Sequence, residues 1–274
     1  MSLWSVSAPS DGIAVAAFSN PSMNYFSLEG AEELGRLIAA WQVDRSVRAI
    51  VLCGDGRSSG FITHFSVETL EQLASRPDTA RDSAAVSRGY HAMLDALNRL
   101  PQAVVVAMNG DTMGAGFELA LACDIRIGQT GDHRYGLPEA RLGIMPGGGG
   151  TQRLPRLVGP ARAVELVLRG RIVNPEEALR IGLVHELAED AVVRAVTVAR
   201  EIAALPATSV AACKAALYRG LEAPQAAGLE IESGYFAETM LSDAGRESMR
   251  AYLAEPTARR RAWLENPATP NTSS

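Results

Sequence analysis

GDTMGAGFELALACD, residues 110–124, follows the apolar run AVVVAM (103–108), and its reading decides how the chain is organised. AVVVAM reads as a buried strand that ends near Met108. The small residues Gly114, Ala115 and Gly116 then make a turn, and a helix is expected from about Gly116 with Glu118 in its first turn. A helix start presents unpaired N–H groups and a partial positive charge, so this turn suits an anionic oxygen held beside a carboxylate. The same spacing equally serves a tight strand-to-helix connection that needs glycine for its dihedrals. A dinucleotide fingerprint is excluded, because GAGFEL lacks the third glycine.

Outward from that stretch, IAVAAF (13–18), AIVLC (49–53) and DIRIG (124–128) are further strand candidates, with GLVHEL (182–187) a later one. Between them LEGAEELGRLIAAWQV places Leu34, Leu37, Ile38 and Trp41 at helical spacing, and Ser83 to Leu100 repeats the pattern until Pro101 stops it. This alternation predicts an α/β core. The segment from Thr69 to Arg88, with its SRPDTARDS composition, reads as a mobile loop. The last seventy residues read as wholly helical, with apolar residues such as Leu221, Leu229, Phe236 and Leu241 that must pack on the chain's own core or on a neighbouring subunit. The closing ENPATPNTSS reads as a frayed end.

Composition removes several function classes. Twenty-six basic residues against 31 acidic ones, a net charge of −5, and the lack of a basic stripe argue against a nucleic-acid surface. Cys53, Cys123 and Cys213 are odd in number and far apart, which gives neither a disulfide framework nor a metal knuckle and fits a reducing compartment. The opening MSLWSVSAPSDG has no signal-peptide pattern and no apolar run reaches membrane-spanning length, so a soluble cytoplasmic protein without membrane association is expected. His91, His133 and His185 lack ligand spacing, and no metal site is expected.

Two further stretches carry chemistry-bearing residues. GLPEARLGIMPGGGGTQRLPRLVG (136–159) contains Glu139 and a glycine run; it lacks the Lys-Ser/Thr pair of a phosphate loop, and Thr151-Gln152 start a helix to Val158. Alone it reads as readily structural as functional. CGDGRSSGFITHF (53–65) follows a strand and sets Phe61 and Ile62 before His64, a residue open to reading as a base, an orienting group or a satisfied polar side chain.

Taken in order, these segments resemble the crotonase (enoyl-CoA hydratase/isomerase) superfamily from about residue 12 to residue 254, most like an enoyl-CoA hydratase. NPSMNYFS matches the family's Asn-Ala-Leu region with Asn24 at its asparagine; NGDTMGAGFELALACD and the 136–159 stretch match family motifs closely. The resemblance implies a ββα spiral core over residues 1–200 with the acyl-CoA site, and a C-terminal helical region over 201–274 for assembly into a homotrimer or a dimer of trimers. It implies an oxyanion hole from the backbone N–H groups of Thr63 and Ala115, catalytic carboxylates at Glu118 and Glu139, and substrate or CoA contacts at Asn24, Phe61, Ile62, His64, Gly114 and Pro138. No separate cofactor is implied, since coenzyme A is part of the substrate. The sequence departs from the family at Ala115, where glycine is common, and at Phe61-Ile62-Thr63-His64, where Ala-Gly-Ala-Asp is common.

The implied reaction is hydration of a 2-enoyl-CoA, with Glu118 taking a proton from water and Glu139 delivering one to Cα. Other readings are an enoyl-CoA isomerase using one carboxylate, a C–C bond hydrolase of β-diketones, and a non-catalytic acyl-CoA-binding protein.

Overall fold

The computed structural model describes residues 2–7, 11–57, 60–76 and 79–265, with the side chains of 79–83 left aside. In chain order the elements are β1 (Trp4–Ser7), β2 (Ile13–Phe18), α1 (Leu28–Val43), β3 (Ala49–Gly54), β4 (Gly60–Ile62), α2 (Val67–Ala74), α3 (Thr79–Asn98), β5 (Ala103–Met108), β6 (Asp111–Met113) and α4 (Gly114–Ala122). There follow β7 (Ile125–Gln129), β8 (Tyr135–Gly136), a 3₁₀ turn (Glu139–Leu142), α5 (Gly150–Val158), α6 (Pro160–Leu168), β9 (Ile172–Val173), α7 (Pro175–Arg180), β10 (Glu186–Ala188) and α8 (Ala191–Ala203). The chain closes with α9 (Ala207–Leu221), α10 (Gln225–Leu241), α11 (Asp243–Ala254), a 3₁₀ turn (Thr257–Arg259) and α12 (Arg260–Glu265).

Two sheets result. The larger has strand order β1-β2-β3-β5-β7-β10, parallel except for the β1–β2 pair, with Ile13 opposite Ala49, Ala49 opposite Ala103 and Val105 opposite Ile125. The smaller runs β4-β6-β8-β9, with only β8–β9 antiparallel. Parallel neighbours require crossovers, and α1, α3 and α4 supply them.

Strand alternation splits the core between the two faces of the larger sheet. Ala14, Ala16, Phe18, Ile50, Leu52, Val104, Val106 and Met108 face a cluster with Leu34, Ile38 and Trp41 of α1 and Leu94 and Leu97 of α3. Ile13, Ala49, Val51, Cys53, Val105, Ala107 and Ile127 face Ala191, Ala195, Val198 and Ala199 of α8. Each fully buried branched or aromatic side chain contributes about 1.5–3 kcal/mol relative to exposure. Both faces being covered explains why AIVLC and AVVVAM are unbroken apolar runs. α1 begins where it does because the Ser27 hydroxyl accepts from Gly30 N at 3.2 Å.

Several expectations are corrected. The segment after Thr69 is helical: α2 covers its start and α3 begins at Thr79, four residues before the expected Ser83, with Pro77 and Asp78 outside the described residues. The 182–187 stretch holds a strand only from Glu186, because Gly182 turns the backbone at φ 81° and Leu183 N bonds back to Ala178 O at 2.8 Å, which sends Leu183 and Val184 into the core. The frayed end expected at 266–274 lies outside the described residues. Helices do fill the rest of the tail; α9 is tied to the core by Lys214, whose Nζ donates to Gln102 O at 2.9 Å and pairs with Asp124 at 2.8 Å, while α10 buries no residue and leaves Phe236 65% exposed.

Candidate active site

β5 leads through Asn109-Gly110 into β6 and α4, and every residue of α4 is buried. A helix apolar on all sides belongs in an interior, so the carboxylate at Glu118, 2% exposed, sits where burial disfavours its charge. α4 starts at Gly114, two residues earlier than expected, which puts Glu118 in its second turn and outside the strongest part of the helix-end field. What holds the carboxylate is the glycine run. Glu118 Oε1 accepts from Gly148 N at 2.7 Å and from Gly150 N at 2.8 Å. Gly148 has no substitute: a Cβ there would lie 2.4 Å from Glu118 Oε2 and 2.5 Å from the Tyr90 ring.

Glu139 opens the 3₁₀ turn, with Pro138 as its N-terminal flank at φ −86°, and its Oε2 is buried without a hydrogen-bond partner among the described residues. Burial raises the Glu139 carboxyl to about 7, against a hydrogen bond from its own backbone and assisted by the charge of Glu118. Burial also lifts Glu118 above the usual carboxylate range, opposed by the Gly150 and Gly148 amides and by His91 and Arg153. Burial thus raises both carboxyls, and the charge of Glu118 adds to the rise at Glu139, whereas the loop amides of Gly148 and Gly150 oppose it at Glu118.

Gly114 joins this pair to the 61–65 segment. A Cβ at Gly114, itself at φ 49°, would lie 3.2 Å from Glu139 Oε1 and 3.5 Å from the His64 Cβ. The His64 ring stacks on Tyr25 at 4.5 Å between centroids, and its Nδ1 lies 2.7 Å from Phe65 O, which fixes the proton on Nδ1. Met113 N donates to Thr63 O at 3.1 Å, which brings residue 63 beside the start of α4.

The two assigned donors differ in state. The Ala115 N–H is the second of α4 and, as one of the first four, has no acceptor within the helix. The Thr63 N–H donates to Asn24 O at 3.2 Å, toward the long end of the hydrogen-bond range. Asn24 itself is 0% exposed; its Nδ2 donates to Gly60 O at 3.0 Å and Phe61 O at 3.2 Å, and its Oδ1 accepts from Asn20 N at 2.7 Å. Its side chain thus braces the loop and has no atom free for a ligand. Phe61 and Ile62 are likewise 0% exposed and packed in the core, so in this conformation they shape the site from behind.

The sequence missed a supporting layer. The Tyr90 hydroxyl donates to Ala115 O at 2.7 Å, Arg153 Nη1 donates to Gly148 O at 3.1 Å, and Arg153 Nη2 pairs with Asp95 at 2.6 Å. Together these tie α3 to both the Ala115 turn and the Gly148 loop. His91, on the same helix, faces the Glu118 charge.

The family model described as enoyl-CoA hydratase/isomerase matches residues 9–261. A Bacillus subtilis (strain 168) protein, YngF, assigned by name to the enoyl-CoA hydratases/isomerases, is 36% identical over 243 residues, 88% of this chain and 91% of its own. Solved structures titled as enoyl-CoA hydratases from Geobacillus kaustophilus HTA426 and Bacillus anthracis superpose with TM-scores of 0.86 and 0.84 at 29% and 28% identity. Each alignment covers 92% of this chain, with 94% and 96% of the respective structures.

Proposed function

Since this chain belongs to the enoyl-CoA hydratase/isomerase family, we propose that it adds water across the double bond of a 2-enoyl-CoA to give a 3-hydroxyacyl-CoA. The observation that carries the reading is the unequal carboxylate pair: Glu118, fixed by two backbone donors, and Glu139, with a proton affinity raised to about 7. Glu118 takes a proton from water as the water oxygen bonds to Cβ. The π electrons move onto the thioester, whose oxygen gains enolate charge, and Glu139 delivers its proton to Cα. Proton transfers of this kind contribute ~10²–10⁴-fold.

The enolate oxygen is received by the Ala115 N–H and by the Thr63 N–H, which exchanges its long bond to Asn24 O for a stronger one to the developing charge. Each such donor contributes about 2.7–4 kcal/mol to the transition state, more than a stretched neutral bond is worth at rest. The Asn24 carbonyl and the thioester oxygen thereby compete for one amide, and the balance shifts to the thioester oxygen as charge develops on it in the transition state. The exposed apolar side chains on α9–α11, among them Leu221 at 74% and Leu253 at 62%, support assembly of the chain as a homotrimer or dimer of trimers through its C-terminal helices.

Incubation with crotonyl-CoA, followed by loss of enoyl absorbance and by mass of the product, tests the reaction. Formation of 3-hydroxybutyryl-CoA is expected. Double-bond migration in a 3-enoyl-CoA without any hydration would assign the isomerase reaction instead, and turnover of a β-diketone without binding of any CoA ester would overturn the CoA reading altogether.

A further inference from the structure

Two peptide units turn their N–H groups on Glu118, and each is held from its carbonyl end. The Gly149–Gly150 peptide donates through Gly150 N at 2.8 Å, while Gly149 O accepts from Gln152 N at 3.0 Å and Arg153 N at 2.9 Å in the first turn of α5. The Gly147–Gly148 peptide donates through Gly148 N at 2.7 Å, and Gly147 O accepts from the Ser87 hydroxyl of α3 at 2.5 Å. One anchor is backbone; the other is a side chain.

Ser87 is placed unusually for a helical serine. Such a hydroxyl often bonds the carbonyl one turn back in its own helix, whereas Ser87 gives its single proton to a carbonyl 60 residues away. With that proton committed, the oxygen is left as an acceptor, and His91 Nε2, one turn further along α3, lies 3.4 Å from it. The helix itself gains nothing from the hydroxyl, because alanine has the higher helix propensity.

The glycine loop does gain. Neither Gly147 nor Gly148 carries a Cβ to resist rotation of the peptide between them. A half-turn of that plane would carry the Gly148 N–H outward and the Gly147 carbonyl toward Glu118. Facing an ionised carboxylate, that carbonyl repels; facing a protonated one, it accepts the hydrogen. The flipped plane therefore favours the protonated acid, and the observed plane favours the carboxylate. Ser87 bonds only the observed plane. Gly147 is exposed, so water can replace the hydroxyl on the carbonyl, but a water has no fixed position, whereas the Ser87 oxygen is carried on α3.

We propose that Ser87 is a positioning residue for Glu118: its hydroxyl locks the Gly147–Gly148 peptide with the N–H on the carboxylate and so keeps Glu118 ready to take a proton from water. The role rests on the reading of Glu118 as the base of the hydratase. The test is a ¹³C titration of the Glu118 carboxyl, in protein labelled at the glutamate side-chain carboxyl and assigned by Glu118→Gln, alongside the pH profile of crotonyl-CoA turnover. Ser87→Ala is expected to raise the midpoint of Glu118 by roughly half a unit and to move the acid limb of kcat/KM upward equally, about a threefold loss below that limb. Ser87→Thr, which keeps the hydroxyl, restores both. Melting temperature changes little in Ser87→Ala, since helix propensity offsets the lost bond. The titratable groups that act on Glu118 are His91 and Tyr90 of α3, Arg153 of α5 and Glu139 of the 3₁₀ turn. All are kept in Ser87→Ala, and the shift persists in a His91→Gln background. An unmoved midpoint, no rescue by Ser87→Thr, or a shift that disappears with His91 overturns the proposal. A moved midpoint in a protein that never hydrates crotonyl-CoA overturns the hydratase reading and leaves the hold of Ser87 on Glu118 in place.

Discussion

The Tyr90 hydroxyl lies 2.7 Å from the Ala115 carbonyl and donates to it, so the peptide plane that follows Ala115 is held from α3. Tyr90→Phe removes that hold and keeps the ring against Gly148. We expect kcat on crotonyl-CoA to fall several-fold with KM nearly unchanged, because the Ala115 turn matters most when charge develops on the thioester oxygen. An effect on KM alone would contradict this.

Removal of either carboxylate tests the acid–base pair directly. Glu118→Gln and Glu139→Gln should each reduce kcat by ~10²–10⁴-fold with circular dichroism unchanged. An isomerase using a single carboxylate would lose activity in one variant and retain it in the other.

The pH profile follows from the raised carboxyl. Glu139 must carry its proton to donate it, so kcat/KM is expected to fall on the alkaline side with an apparent pKa of about 7. Stability carries the same signature. Because the folded pKa lies above the ordinary glutamate value of 4.5, the native state binds more protons between about 4.5 and 7, and stability falls as pH rises through that window. Glu139→Gln, which cannot ionise, should gain melting temperature relative to the parent on going from pH 5 to pH 8. A pH-independent difference would place Glu139 in an ordinary solvated setting.

Gly148→Ala places a methyl against both Glu118 Oε2 and Tyr90. The loop must move, and a displacement of about 1 Å in a catalytic group costs roughly 10²-fold in rate. Overpacking of this kind also destabilises by about 1–3 kcal/mol, readable as a lower melting temperature. Retained activity would show that Glu118 does not depend on that amide.

Asn24→Ala strips donors from the Gly60 and Phe61 carbonyls and forces a Cβ-bearing residue without side-chain compensation at φ 51°. A buried unsatisfied acceptor costs ~1–3 kcal/mol and the left-handed backbone ~1–2 kcal/mol more. Asn24→Gly, which tolerates that φ, should be less destabilised than Asn24→Ala in urea unfolding. The reverse order would contradict a backbone role for this position.

What could be read in the sequence was what side chains announce. β2, β3 and β5 were legible because burial on both faces leaves unbroken apolar runs, and Glu118 and Glu139 because carboxylates stand out in apolar and glycine-rich surroundings. β4, β6, β8 and β9, of two or three residues each, are too short to show a period. The donors to Glu118 are backbone groups of Gly148 and Gly150, which no residue type signals, and Tyr90 sits at helical apolar spacing on α3 like any core residue. Gly182 hid its left-handed turn inside an apolar stretch that reads as a strand.

The second face of the larger sheet receives its cover late. Ile13, Val51, Val105 and Ile127 are all made before residue 128, yet the helix that shields them begins only at Ala191. During synthesis the emerging chain therefore carries five of the sheet's six strands with this face naked for more than sixty residues. Truncation ahead of α8 should yield a sticky, aggregating product, and the nascent protein is a natural client for chaperones that hold apolar surface until the covering helix arrives.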